Sequence, residues 1–290
     1  MTFLITVLAI VLVAVQNIFK KQSKTPINGR VFSAMLFNTL NSLAGALFFL
    51  IYAGFRLEWH AVTIGYSLLF AAAFTGAVVF SCLAILEGSL ALSSLAMSYS
   101  CMIPTVYGMF TGDELTAWKI GGILLLVLSL FFFNGDRGKD ADHDRITPRW
   151  ALYAFLAFAC NGLCSVFQKM YQIKQNNQFT SEFMLLAYTL GGIVTLVVML
   201  ACGRKKENRP VLPKMNYLWG LLAGLANAGA NLLVITLNQT QQASWLFPMI
   251  SAGGVVVAFV VALFFYKEKQ TPRQIVGFVL GLLSILAIQL

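Results

Sequence analysis

The sequence predicts an all-α polytopic membrane protein, with ten transmembrane helices arranged as two inverted five-helix repeats. Three observations carry that prediction. First, the 290 residues are 59% hydrophobic and only 11% charged, with a mean hydropathy of +0.78. A soluble domain carries about a quarter charged residues, so little of this surface can face water. Second, ten apolar stretches follow one another, each of about 20 residues, the length that crosses roughly 30 Å of hydrocarbon. Third, a signature occurs twice. Asp113-Glu-Leu-Thr116 runs on through Lys119 to Gly122, and 155 residues later Glu268-Lys-Gln-Thr271 runs on to Gly277. The same offset maps Ser129 onto Ser284. Self-similarity at a fixed distance marks two copies of one unit.

The ten spans are expected at 2–20, 31–54, 62–86, 89–111, 117–134, 149–171, 182–202, 216–237, 243–266 and 272–290. Each should be a helix, because lipid offers no partner to an unpaired backbone group. The first is long and apolar, without a basic n-region or an A-x-A site, and reads as a retained helix rather than a signal peptide. The fifth is the shortest. Pro104 and Pro248 fall inside the fourth and ninth, where proline frees a carbonyl and kinks the helix. Only Asn134 to Thr147 (NGDRGKDADHDRIT) has the composition of a linker. The chain therefore divides into a first repeat (1–135), a linker (136–147) and a second repeat (148–290). A second echo supports the halves. Val15-Gln-Asn-Ile-Phe19-Lys-Lys21 resembles Leu163-Cys-Ser-Val-Phe167-Gln-Lys169 at an offset of 148. An odd number of crossings makes the second copy enter the membrane from the opposite side, which defines an inverted repeat.

The net charge of +9 does not point to nucleic acid, because the basic residues sit between apolar runs. They act as topology signals. Sixteen of the 20 fall in loops after odd-numbered segments, and the other four are Arg56, Lys119, Lys169 and Lys174. The positive-inside rule then places both termini outside.

No catalytic or metal chemistry is visible. The five cysteines (Cys82, Cys101, Cys160, Cys164, Cys202) lie in or beside apolar runs, without CxxC or Cys/His spacing. Asp140-Ala-Asp-His-Asp144 lacks the length and terminal Glu of a calcium loop and reads as solvated linker. Asn238-Gln-Thr240 fits a glycosylation sequon but lies in a turn hard against the membrane. There is no phosphate-binding loop, dinucleotide fingerprint or nucleophile elbow. The expectation is a non-enzyme with no cofactor.

Function should therefore lie with polar residues inside the spans. On segment eight, Gly220, Gly224, Asn227, Asn231 and Asn238 form one stripe at helical spacing. Bare amides in hydrocarbon are costly, so the stripe is either a helix–helix seam or a wall of a central polar cavity. Similar faces occur on most other segments. The substrate-cavity candidates are Gln16 and Asn17; Asn38 and Asn41; Ser94 and Ser98; Asn161, Ser165 and Gln168; Tyr188; Asn227 and Asn231; and Trp245 and Ser251. Glu87 joins them as a carboxylate where segments three and four meet, against the alternative of a solvated turn residue. Tyr99, Tyr107, Tyr188 and Trp245 supply aromatic walls. Segments five and ten are plain apolar beyond Ser129, Ser284 and a few glycines. The economical arrangement puts eight helices around a polar centre and these two outside. Gly277-x-x-x-Gly281 offers a packing face within the chain or in a homodimer.

The duplicated acid–Leu/Gln–Thr–Gly signature, in register with ten helices, resembles the drug/metabolite transporter superfamily, EamA-like branch. The matching residues are Asp113, Leu115, Thr116 and Gly122, then Glu268, Gln270, Thr271 and Gly277. The resemblance spans essentially the whole chain. It implies a cavity lined by helices one to four and six to nine, and movement of small metabolites by alternating access. One departure is the terminus orientation, since many bacterial members are thought to keep both termini in the cytoplasm. The expectation is a secondary transporter in a bacterial cytoplasmic membrane, moving a small polar metabolite such as an amino acid or amine. A lipid-linked headgroup flippase and a non-transporting accessory protein are the alternatives. Expected partners are a small-molecule substrate and the bilayer, with a homodimer through helices five and ten as a further option. The charge count makes a direct prediction: a reporter fused after Leu290 is active outside the cytoplasm, and activity confined to the cytoplasm overturns the orientation.

Overall fold

The structure is a computed structural model that describes residues 2–23, 30–87, 97, 99–113, 116–134, 147–176, 178–203, 210, 212–264 and 271–289. Its regular elements are helices: α1 (Thr2–Gln22), α2 (Arg30–Tyr52), α3 (Ala61–Glu87), a 3-10 turn (Tyr99–Cys101) leading into α4 (Met102–Phe110), α5 (Ala117–Asn134), α6 (Pro148–Lys174), α7 (Thr180–Cys202), α8 (Lys214–Asn238), α9 (Ala243–Phe264) and α10 (Pro272–Gln289). Among the described residues, α1, α2, α3, α6, α7, α8 and α9 are long and apolar enough to cross a membrane. Shorter apolar helices lie at Ala117–Phe132 and Ile275–Ile288.

Local sequence explains the boundaries. α6 begins where Thr147 accepts the Trp150 N–H at 3.1 Å, with Pro148 in the first helical position; a threonine cap followed by proline is a strong helix start. The helix then continues to Lys174, past the expected end at 171, because its last turn still packs against other helices. The Tyr171 ring stacks on Phe183 of α7 at 4.3 Å, and Gln172 donates to the Ile235 carbonyl of α8. The 3-10 turn before α4 has its cause in Pro104. Proline cannot donate to the carbonyl four residues back, at Ser100, and its ring crowds that carbonyl. Residues 88–96 and 98, with the candidates Ser94 and Ser98, lie outside the described residues, as do Glu268 and Gln270 of the second signature.

The packing partners run antiparallel. Thr39 of α2 meets Thr195 of α7 at 3.1 Å, while farther along α2 Gly45 abuts the Tyr188 ring. On α3, Thr63 lies 3.2 Å from the Tyr171 hydroxyl of α6, and Gly76 abuts Cys160. Leu12 of α1 lies at Gly229 of α8, and Phe19 stacks on Trp219. On α4, Gly108 approaches the Ser244 backbone at the start of α9. α5 and α10 are joined by two reciprocal bonds. Ser129 Oγ donates to the Gly277 carbonyl at 2.6 Å, and Ser284 Oγ donates to the Gly122 carbonyl at 2.8 Å.

Small residues set these distances. In lipid, helices associate by close packing and interhelical hydrogen bonds. A Cβ on Gly224 would strike the Asn41 carbonyl and the Ala44 methyl, so the glycine lets α8 lie directly on α2. An aromatic cluster of Phe49, Phe70, Tyr171, Phe183 and Tyr188 fills the space between α2, α3, α6 and α7. Leucine, isoleucine, valine and phenylalanine side chains cover the exterior, as on α1, α5 and α10, which suits lipid rather than water.

Neighbouring glycines on α5 test this packing. A Cβ on Gly122 would sit 2.6 Å from Ile288 Cγ1 and 2.9 Å from the Ile288 nitrogen, whereas one on Gly121 meets nothing within 4 Å. Gly122→Ala is expected to lower stability in detergent by about 1–3 kcal/mol, and Gly121→Ala to leave it within about 0.5 kcal/mol. Thermal unfolding of the two variants side by side reads the difference.

Candidate functional site

A cavity of about 200 Å³ opens between the 3-10 turn, α6, α8 and α9. Helical spacing explains how each element contributes. Asn161, Ser165 and Gln168 succeed one another on a single face of α6, and Asn231 and Val234 do so on α8. Phe247, Ile250 and Ser251 come from α9 after the Pro248 break, and Ser100 and Cys101 come from the turn that Pro104 imposes. One part of the wall is amide and hydroxyl, the other apolar. No described residue of the lining carries a charge. Among the described residues, no group of three His, Cys, Asp or Glu side chains comes together to hold a metal ion.

Hydrogen bonds hold the polar walls in place. Asn161 Nδ2 donates to Ser100 Oγ and ties α6 to the turn. Asn231 Nδ2 lies 3.0 Å from the Tyr188 hydroxyl, from the Asn227 carbonyl and from Asn227 Oδ1. Asn227 Nδ2 in turn donates to Asn41 Oδ1 at 3.4 Å. This amide chain runs from α2 through α8 to α7. Asn231 thus belongs to both settings that the sequence left open: it lines the cavity and anchors a seam. Asn227, Asn41 and Tyr188 belong to the seam. Gln168 is buried, and its Nε2 has no hydrogen-bond partner among the described residues.

The other sequence candidates sit elsewhere. Gln16 is half-buried on α1, and Asn17 beside it is exposed. Asn38 donates to the Ala34 carbonyl of its own helix at 2.8 Å. Glu87 is exposed at the end of α3. Trp245 packs with Leu246 and Phe247 against the start of α1. Ser100 is a lining residue that polar patterning passes over. Its signal in the sequence is Pro104, four residues on, which breaks the helix there. Val234, Phe247 and Ile250 carry no such signal, because an apolar residue facing a cavity looks like one facing a helix.

The signature residue Asp113 stands away from the cavity. Its carboxylate accepts the Ser244 N–H at 2.8 Å and caps the first turn of α9, a place that favours negative charge.

Residues 148–290 match the EamA-like transporter family. Among curated proteins none matches the chain. A solved crystal structure of another protein superposes with a TM-score of 0.73 at 14% identity, over 99% of this chain and 95% of that one. That likeness is one of fold.

The seam and the cavity wall should separate in experiment. Tyr188→Phe removes the hydroxyl that Asn231 reaches and is expected to cost about 1 kcal/mol of stability. Ser165→Ala touches only the cavity and should change stability by less than about 0.5 kcal/mol. Unfolding in detergent measures both.

Proposed function

Because the chain belongs to the EamA-like transporter family, whose pattern its residues 148–290 carry, we propose that it moves a small polar metabolite across the membrane by alternating access. The observation that carries this reading is the cavity. It lies among helices of membrane-spanning length and presents hydroxyl and amide groups where a packed bundle would present only side-chain contacts. A volume of about 200 Å³ suits a solute of amino-acid size. With no charge among the described residues of its wall, the cavity suits a net-neutral solute with hydrogen-bonding groups at one end and an apolar body. A phosphorylated solute would require arginine or lysine there.

Alternating access needs a scaffold with two states of similar energy, which an inverted repeat supplies. Under this proposal the fourth, fifth and tenth segments also cross the membrane, making ten crossings in two copies. The packing supports it. Exchanging α1 with α6, α2 with α7, α3 with α8, α4 with α9 and α5 with α10 turns several of the contacts into other observed ones. The α1–α8 pair becomes α6–α3, α2–α8 becomes α7–α3, and α1–α9 becomes α6–α4. The pair of bonds between α5 and α10 maps onto itself, since Ser129 exchanges with Ser284 and Gly277 with Gly122. Two like halves running in opposite directions give this pattern. The membrane is proposed to be the cytoplasmic membrane of a bacterium.

Counterflow in proteoliposomes, screened across neutral, cationic and anionic solutes of amino-acid size, tests the reading. Net-neutral solutes are expected to exchange. Ser165→Phe fills the cavity and is expected to reduce exchange by about tenfold or more, the effect of losing roughly 1.4 kcal/mol of binding, without altering the melting temperature. Failure of every solute, or full exchange through the filled cavity, overturns the proposal.

A further inference from the structure

The side-chain amides that line the cavity are engaged differently. Asn161 Nδ2 donates to Ser100 Oγ. Asn231 Nδ2 lies 3.0 Å from the Tyr188 hydroxyl and from two oxygens of Asn227. Both tie elements of the protein together. Gln168 is only 3% exposed, and its Nε2 has no hydrogen-bond partner among the described residues. The next turn of α6 gives the contrast. Gln172, four residues on and on the same face, donates its Nε2 to the Ile235 carbonyl of α8 at 2.9 Å. One glutamine fastens α6 to α8, while the other borders the cavity with its N–H unengaged.

A buried N–H without a partner is destabilising. An apolar side chain of the same length would suit the fold better at position 168. What Gln168 lacks within the protein, a bound solute can supply.

The chemistry of the amide says which kind of solute. Its N–H and its carbonyl lie side by side in one plane. A second carboxamide matches both at once, its carbonyl accepting and its N–H donating. Exchanging the Nε2 and Oε1 positions leaves this match intact, because each partner presents a donor beside an acceptor. A carboxylate accepts from the N–H but repels the carbonyl oxygen. Its charge also finds no cation among the described residues of the wall. Lys169 is adjacent in sequence, but successive residues on a helix point about 100° apart. Its ammonium donates to the Asn238 carbonyl at 2.7 Å and to the Gln241 carbonyl at 3.0 Å, in the turn between α8 and α9. The rest of the solute meets Val234, Phe247 and Ile250, a surface that suits an aliphatic body.

We propose that Gln168 selects the solute, and that it takes a neutral carboxamide carrying an aliphatic body. The inference rests on the transport reading and names the substrate class of that cavity.

Isovaleramide and isovalerate share one aliphatic body and differ only at the polar end. Their binding to the full-length chain in lipid nanodiscs is measured by saturation-transfer NMR, with empty nanodiscs as the blank. The parent is expected to bind isovaleramide at least tenfold more tightly than isovalerate. Gln168→Met keeps the length of the side chain and removes both polar atoms. It is expected to weaken isovaleramide binding by about tenfold, the loss of a pair of neutral hydrogen bonds. Its melting temperature should equal or exceed that of the parent, because no bond within the protein is broken. Gln168→Leu removes the same atoms with a different shape, and whichever variant melts like the parent carries the binding comparison. A melting temperature lowered in both marks a structural glutamine and overturns the proposal. So does unchanged isovaleramide binding in the variant, isovalerate bound by the parent as tightly as the amide, or binding of neither probe. Counterflow in proteoliposomes separates the two claims. Isovaleramide bound through Gln168 without exchange of any solute overturns transport and leaves the site standing. Exchange of a net-neutral solute that Gln168→Met leaves unchanged overturns the role of Gln168 and leaves transport standing.

Discussion

Hydrocarbon has no water to offer a polar group, and the organisation of this chain follows from that constraint. Inside the bundle, many amides and hydroxyls bond to one another or to helix carbonyls. Asn231, Asn227 and Asn41 form a chain that joins α2 to α8 and reaches Tyr188 on α7. Ser129 and Ser284 each donate to a carbonyl on the other's helix. Ser67 bonds both its own helix and the Phe183 carbonyl of α7. Each such bond is modest in worth, but a lost partner leaves a buried group unsatisfied, which costs more than the bond contributes. Polar residues in the spans therefore fix which helices are neighbours.

Close approach completes the assignment. Apolar attraction between helices is no stronger than their attraction to lipid tails, so shape has to decide. Gly224 admits the backbone of α2, Gly122 admits that of α10, and Gly45 admits the Tyr188 ring. The helices that touch at Gly224 are bonded through asparagine, those at Gly122 through serine, and those at Gly45 through Thr39 and Thr195. Two independent local choices agree on one arrangement, as expected of a sequence that specifies a single packing. Where the packing leaves room, between α6, α8, α9 and the turn made by Pro104, polar groups without a full set of partners face the gap. Gln168 is the clearest case.

Much of the fold was legible residue by residue. Hydropathy located the other nine helices to within a few residues, while much of the fourth expected span lies outside the described residues. Asp113, legible in the sequence as part of a repeated signature, places its carboxylate at the start of α9 in the other half of the chain. The mapping of Ser129 onto Ser284 gained a physical meaning, since those serines and the paired glycines are bonded across α5 and α10. The site was less legible. A polar stripe at helical spacing looks the same whether it faces a cavity or another helix. Asn227 and Asn231 illustrate this, four residues apart on one face, with only the second lining the gap. Lys169 looked like a loop charge, yet it reaches carbonyls on the α8–α9 turn.

The sequence by itself determined that this is a multi-pass helical membrane protein with a duplicated signature, and it selected the family. Those properties depend on composition, on segment length against bilayer thickness and on periodic repetition, all of which can be read along one dimension. Only the tertiary structure decided which polar stripe closes on a neighbour, which borders a cavity, and which charges pin the α8–α9 turn. Those outcomes depend on contacts between residues as far apart as Asp113 and Ser244, and on helix directions that no local pattern encodes.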